Sequence, residues 1–331
     1  MIQPPSPPLL LALVGPTATG KTEASLELAR RLDAEIVAVD SMVVYRGMDV
    51  GTAKPTLAER ATVPHHLIDV ADPAEPFSVA RFQALAREAV AAVRGRGRRP
   101  ILVGGSGLYF RAAVDDLAFP GTDPETRSLL ESEAAGLGPT RLHARLVGLD
   151  AEAAARIDPR NVRRTVRALE VAALTGRPFS RFARAWERYP PDRVRAAGVR
   201  IPPPVLARRI EDRVHHMIEV GLVEEVRGLL DRGLRRFLTS SQAIGYVEVA
   251  EHLEGKMSME EAVRRTIRRT KGLARRQMAW FRRDPRIRWF DAGSGGAAER
   301  LEDMERFLAM DVPRNGEGVL AESRSAGRKR A

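Results

Sequence analysis

Residues 9–22, LLLALVGPTATGKT, read as an apolar strand, a glycine loop and the first turn of a helix. The loop meets the pattern G-x-x-x-x-G-K-[ST] through Gly15, Pro16, Thr17, Ala18, Thr19, Gly20, Lys21 and Thr22. Gly15 and Gly20 keep Cβ atoms out of the way, so that backbone N–H groups can close around phosphate oxygens at a helix N-terminus. Lys21 adds a full positive charge, and the Thr22 hydroxyl is placed to ligate a magnesium ion shared with the phosphates. The chain has five lysines against forty-nine arginines, so a lysine directly after Gly20 is informative. The plain alternative is a glycine turn capping a helix; the strand before and the helix after favour a phosphate-binding loop.

Working outward, a helix from Thr22 to about Leu32 sets Ala24, Leu28 and Leu32 at helical spacing, and residues 35–39, EIVAV, read as a buried strand ending at Asp40. Strand, helix and strand make a right-handed parallel unit, whose strand ends share a crevice, so Asp40 is expected near the phosphates. It can be read there as a cap of the following turn or as a magnesium-side carboxylate. Residues 41–55, SMVVYRGMDVGTAKP, are too rich in glycine and polar side chains for a regular element and form an ordered loop over the site. His65 and His66 precede a short strand candidate at 67–70; adjacent histidines point to opposite sides of a strand and read as structural. A helix over 79–93 leads to a strand at 101–103 and the turn GGSG, a weak signal by itself.

The texture then changes, and residues 121–192 read as an inserted all-helical domain between two parts of the core, 9–120 and 193–310. The tails 1–8 and 311–331 read as disordered. Within the insert, DPRNVRRTVRALEV sets Arg160, Arg163, Arg164 and Arg167 on neighbouring helical faces, dense enough for a phosphate backbone, a solvated charge face being the alternative. After a strand at 194–201, a long helix over 204–230 carries Arg209, Arg213 and His216 on one face. Helices follow at 240–253 and 259–281 and a strand at 286–290. The second helix bears a basic stripe of Arg264, Arg268, Lys271 and Arg275, with Arg265, Arg269 and Arg276 beside it. The expected fold class is α/β, a P-loop NTPase-like parallel sheet flanked by helices.

The 331 residues carry a net charge of +11 and a pI near 10.7, which implies an anionic partner larger than a nucleotide, nucleic acid first. Absence of cysteine removes disulfide frameworks, thiolate zinc sites and cysteine nucleophiles. The apolar run at 9–14 is too short for a signal segment or a membrane span, so a cytoplasmic protein with no membrane partner is expected. A monomer is the default expectation.

Several motifs then coincide: GPTATGKT at 15–22, DSMVVYRGMDVGTAKP at 40–55, PHHLIDV at 64–70, GGSGLYF at 104–110, RALEV at 167–171, QAIGY at 242–246 and RRQMAWFR at 275–282. In this order and spacing the chain resembles the bacterial tRNA dimethylallyltransferases, or tRNA isopentenyltransferases, over roughly residues 9–290. Val43 stands where many members have Gln, and Ser106 where the family usually has Thr. The resemblance implies transfer of a dimethylallyl group from dimethylallyl diphosphate to N6 of the adenine 3′-adjacent to the anticodon, with release of diphosphate. Asp40 then matches the base that takes the N6 proton, and Arg213, with Lys21 and Mg2+, assists the departing diphosphate. Residues 17–22 line the donor site. By the same resemblance Asp40, Ser41, Met42, Val43, Ser106, Arg127, Arg163, Arg164, Thr165, Val166 and Arg167 contact the tRNA anticodon stem-loop, whose target adenine must be turned out of its stack. Three rival readings remain: a P-loop small-molecule kinase using ATP, an isopentenyltransferase acting on free adenine nucleotide, and a non-catalytic RNA-binding module.

Overall fold

Alternation of short apolar strands with amphipathic helices requires a parallel sheet covered on both faces. The computed structural model, which describes residues 9–310, has that arrangement; the tail expectations for 1–8 and 311–331 lie outside the described residues. Strands β1 (Leu10–Val14), β2 (Ala34–Ala38), β3 (His65–His66), β4 (Arg99–Gly104), β5 (Val194–Arg200) and β6 (Ile287–Asp291) form one sheet in the order β3-β2-β4-β1-β5-β6, every pair parallel. In chain order the helices are α1 (Lys21–Arg31), α2 (Leu57–Thr62), α3 (Val79–Gly95), α4 (Gly107–Val114), α5 (Pro124–Leu137), α6 (Pro139–Leu149), α7 (Ala151–Arg156), α8 (Val162–Thr175), α9 (Phe179–Ala183), α10 (Pro203–Glu219), α11 (Leu222–Asp231), α12 (Tyr246–Leu253), α13 (Met259–Phe281) and α14 (Leu301–Ala309).

The chain divides into two units. Of the described residues, 9–77, 85–110 and 192–310 form the first, which holds the whole sheet and a core around Leu13, Leu28, Ile101, Val199, Phe290 and Met304. Residues 78–84 and 111–191 form the second, all-helical, with Leu130, Leu142, Leu146, Val166 and Leu169 in its core. The helical unit thus starts earlier than residue 121. Arg111 explains this: its buried guanidinium pairs with Asp115 and donates to the carbonyls of Trp186 at 3.0 Å and Arg188 at 2.8 Å, tying residues 111–115 to the end of the unit.

Three sequence readings need correction. The helix expected over 204–230 is two, α10 and α11, separated at Gly221, whose φ of 107° is left-handed. Within 240–253 only α12 is α-helical, after a short 3-10 turn at Ser240–Gln242. The strand placed at 67–70 is instead His65–His66; Leu67 and Asp69 have φ of 65° and 59°, because the Asp69 carboxylate is drawn to Lys54 and Arg60 at 2.6 Å each. Helix α14 was not foreseen.

Candidate active site

β1 delivers the phosphate loop and α1 receives it. Gly20 is the N-cap of α1 at φ 82°, and Ala18 also lies in the left-handed region at 63°. The loop folds over itself: the Thr19 hydroxyl donates to the Pro16 carbonyl at 3.0 Å, and Lys21 Nζ donates to the same carbonyl and, at 3.4 Å, to the Thr19 hydroxyl. Distant segments hold it from outside. The Thr17 N–H donates to Gln277 Oε1 at 2.9 Å, and the Ala297 N–H to the Thr19 carbonyl at 2.9 Å. In front of the loop lies a cavity of about 410 Å³. Residues 17–22, Asp40, Arg209 and Arg213 line its polar part, and Ile36, Ala38, Val43, Ile68 and Val103 an apolar wall.

Asp40 follows β2 and reaches this cavity half-buried, with Oδ1 accepting from the Met42 N–H at 2.8 Å. Its Oδ2 makes no hydrogen bond to the described residues. The GGSG turn packs against the same strand end, since the Ser106 N–H donates to the Val39 carbonyl at 3.2 Å. The Ser106 hydroxyl accepts from the Tyr109 N–H at 3.5 Å, which engages it in the first turn of α4. Thr52, Ala53 and Pro55 line the cavity from the loop that follows. That loop is pinned by one carboxylate: Glu225 on α11 accepts from the N–H groups of Asp49 at 2.8 Å, Val50 at 2.9 Å and Gly51 at 3.2 Å, and from the Tyr246 hydroxyl at 2.5 Å. Lys54 is buried beneath it, bonded to the Tyr45 carbonyl, Asp49 and Asp69. Arg213 in turn donates to the Thr52 carbonyl at 3.4 Å.

Burial, and next the Arg213 guanidinium, push the Lys21 ammonium down to about 7, although Asp40 acts the other way. Burial likewise lowers Arg213, again opposed by Asp40. Both cations sit where an anion would relieve their desolvation. Among the described residues no three His, Asp or Glu side chains gather to hold a metal ion. Thr22 on the cavity wall supplies one hydroxyl, so magnesium there would take its other oxygens from phosphate and water, the ordinary arrangement for this ion.

The remaining expected residues fall elsewhere. Ser41 and Met42 are half-buried beside Asp40, and Val43 is buried on the apolar wall. His216 is exposed and faces Glu219 at 3.7 Å, apart from Arg209 and Arg213. His66 bonds Glu35 at 2.7 Å; His65 bonds the Val63 carbonyl at 2.7 Å and also lines the cavity. In the helical unit, taken by itself, Arg163 and Arg164 are exposed on α8, whereas Thr165 and Val166 are buried. Arg127 and Arg167 both pair with the buried Glu170 at 2.7 Å, so each holds this unit together. The stripe on α13 is thinned in the same way, by Arg264 and Arg265 on Glu261, Arg269 on Glu248 and Lys271 on Glu211. Sequence reasoning gave no role to Gln277, Glu225 or Ala297; only the motifs around Gln277 and Tyr246 could have pointed to two of them.

A parallel sheet whose first strand feeds this loop, with a carboxylate from β2, one strand beyond β4, lining the same cavity, defines a P-loop α/β protein. Residues 43–284 match the family model described as IPP transferase and residues 8–71 that described as isopentenyl transferase. The tRNA dimethylallyltransferase of Streptomyces coelicolor is 52% identical over 302 residues, covering 91% of this chain and 95% of that one. Among solved structures, the tRNA isopentenylpyrophosphate transferase of Bacillus halodurans is 42% identical with a TM-score of 0.66, over 92% of this chain and 96% of that one. A eukaryotic dimethylallyltransferase acting on tRNA is 24% identical, over 93% and 82% of the two chains, and its TM-score of 0.74 is a likeness of fold. The chain belongs to the IPP transferase family, with tRNA dimethylallyltransferases as its relatives. Among the described residues no helix is long and apolar enough to cross a membrane.

Proposed function

We propose that this chain transfers the dimethylallyl group of dimethylallyl diphosphate to N6 of the adenine 3′-adjacent to the anticodon in tRNA. The observation that carries the reading is one cavity in which Asp40 shares space with Lys21 and Arg213 while Ile36, Val43 and Val103 form an apolar wall. Such a cavity suits a ligand with a diphosphate head and a short hydrocarbon tail. The allylic C–O bond breaks, Lys21 and Arg213 take the charge that develops on the diphosphate, and the adenine N6 attacks the allylic carbon. Asp40 accepts the N6 proton through Oδ2, the carboxylate oxygen that no group among the described residues occupies. Magnesium, held by Thr22 and the diphosphate, would further neutralise the leaving group. Arg163 and Arg164, exposed on α8, suit phosphate contacts to the anticodon stem-loop. A tRNA substrate puts the work in the cytoplasm.

The test offers labelled dimethylallyl diphosphate with unmodified tRNA or with AMP, and ATP with each. Label in tRNA at the anticodon-adjacent adenine supports the reading. Label in AMP moves the activity to free nucleotide, and phosphoryl transfer from ATP without prenyl transfer overturns it.

A further inference from the structure

We propose that Gln277 sets this phosphate loop to take two phosphates rather than three. The inference rests on the donor-site reading above and adds a specificity-determining residue to it. Gln277 lies on α13, on the helix face that also carries the buried Ala274 and Phe281, so its amide is presented from a fixed support. It lines the donor cavity, and its Oε1 accepts the Thr17 N–H at 2.9 Å. A phosphate loop binds through backbone N–H groups, and here one of them is committed to a neutral side chain before any ligand arrives.

The opposite side of the amide is also enclosed. A Cβ placed on Gly105 would lie 2.5 Å from Gln277 Nε2 and 3.4 Å from the Gly15 carbonyl, so the glycine of the GGSG turn makes room for this side chain against the loop. Gln277 therefore occupies the mouth of the loop between Thr17 and Gly105. The N–H groups of Gly20, Lys21 and Thr22 at the head of α1 remain for a diphosphate. A third phosphate needs further donors along the loop; Thr17 has none to give, and the carbonyl end of the amide held there repels an anion. Gln277 thus separates isoprenoid diphosphates from nucleoside triphosphates, which share everything else that such a loop reads.

The experiment measures dissociation constants of magnesium-loaded inorganic diphosphate, inorganic triphosphate, dimethylallyl diphosphate and ATP for the full chain, Gln277→Ala and Gln277→Glu. The wild type is expected to prefer diphosphate over triphosphate by ~10-fold or more, a discrimination one blocked donor can supply. Gln277→Ala should cut that ratio at least fivefold, mainly by tighter triphosphate binding, and ATP should gain with it. Gln277→Glu keeps an acceptor for Thr17 and adds a negative charge, so both ligands should weaken, triphosphate more. A wild type that holds triphosphate as well as diphosphate overturns the proposal. So does a Gln277→Ala variant in which both affinities fall equally, since Gln277 would then only shape the loop. If Gln277→Ala fails to fold, Gln277→Glu decides instead: a diphosphate preference that rises supports the proposal, and one that stays unchanged overturns it. Failure of the function reading shows separately, as absent prenyl transfer by the wild type whatever the phosphate preference.

Discussion

The donor cavity and the helical unit use the same cations in opposite ways. Lys21, Arg209 and Arg213 line the cavity and form no ion pair with the described residues. Arg127 and Arg167 in the helical unit converge on Glu170, a carboxylate with no exposed surface that also takes the Asp123 N–H at 3.0 Å. A guanidinium that has a carboxylate in its own chain is part of the fold; one left without it is set for an outside anion. The arginine count of a basic protein therefore overstates the surface available to nucleic acid, and the carboxylates say by how much.

The comparison can be broken most directly at Asp40, the carboxylate among the unpaired cations. Asp40→Asn keeps the shape and removes the base, so single-turnover transfer should fall ~10² to 10⁴-fold while donor affinity changes less than about tenfold. Full rescue by added magnesium would make Asp40 a metal ligand. In the helical unit, Glu170→Ala should lower stability by ~2 kcal/mol in a denaturant titration, the part-exposed arginines regaining some hydration and so keeping the loss moderate. An unchanged midpoint would mean that Arg127 and Arg167 are not structural.

A third effect is smaller and depends on pH. In the free loop Lys21 titrates at about 7, below its ordinary value, whereas against a diphosphate it is charged. Above pH 7 donor binding must therefore take up a proton, and affinity should fall by up to about tenfold per unit from this group. Calorimetry in buffers of different ionisation enthalpy should show uptake approaching one proton near pH 8.5. Without ligand the sign reverses: the unfolded chain binds the extra proton, so this group's contribution to stability rises from pH 7 upward. The smallest effect is on α8, where Arg163→Ala with Arg164→Ala should lower the slope of log RNA affinity against log salt by about one unit for each phosphate no longer neutralised.

What could be read from the chain alone was whatever repeats locally. The loop from Gly15 to Thr22, the buried runs of β1 and β2 and the 23-residue α13 all announce themselves within a turn or two of chain. Asp40 does line the cavity in front of the loop, but the expectation that β1 and β2 adjoin fails, since β4 is inserted between them and its pairing partners lie far along the chain. The misreadings share a cause: Gly221 ends a helix whose apolar period continues, and Leu67 and Asp69 turn left-handed because Lys54 and Arg60 pull on a carboxylate. Thr165 and Val166 sit within a run of arginines, and only packing tells which side of α8 is inward. Glu225 escaped notice because its partners, the amides of residues 49–51, lie far back along the chain.

The clasp on the phosphate loop bears on how such proteins come off the ribosome. Thr17 is made early, yet the oxygen that holds it belongs to a residue 260 positions later, and Ala297 follows later still. A nascent or prematurely terminated chain ending before Gln277 carries the complete loop signature but lacks both outside holds. The preference for two phosphates should emerge only when translation is almost finished, and a fragment bearing the G-x-x-x-x-G-K-T pattern is no guide to which phosphates the whole chain captures.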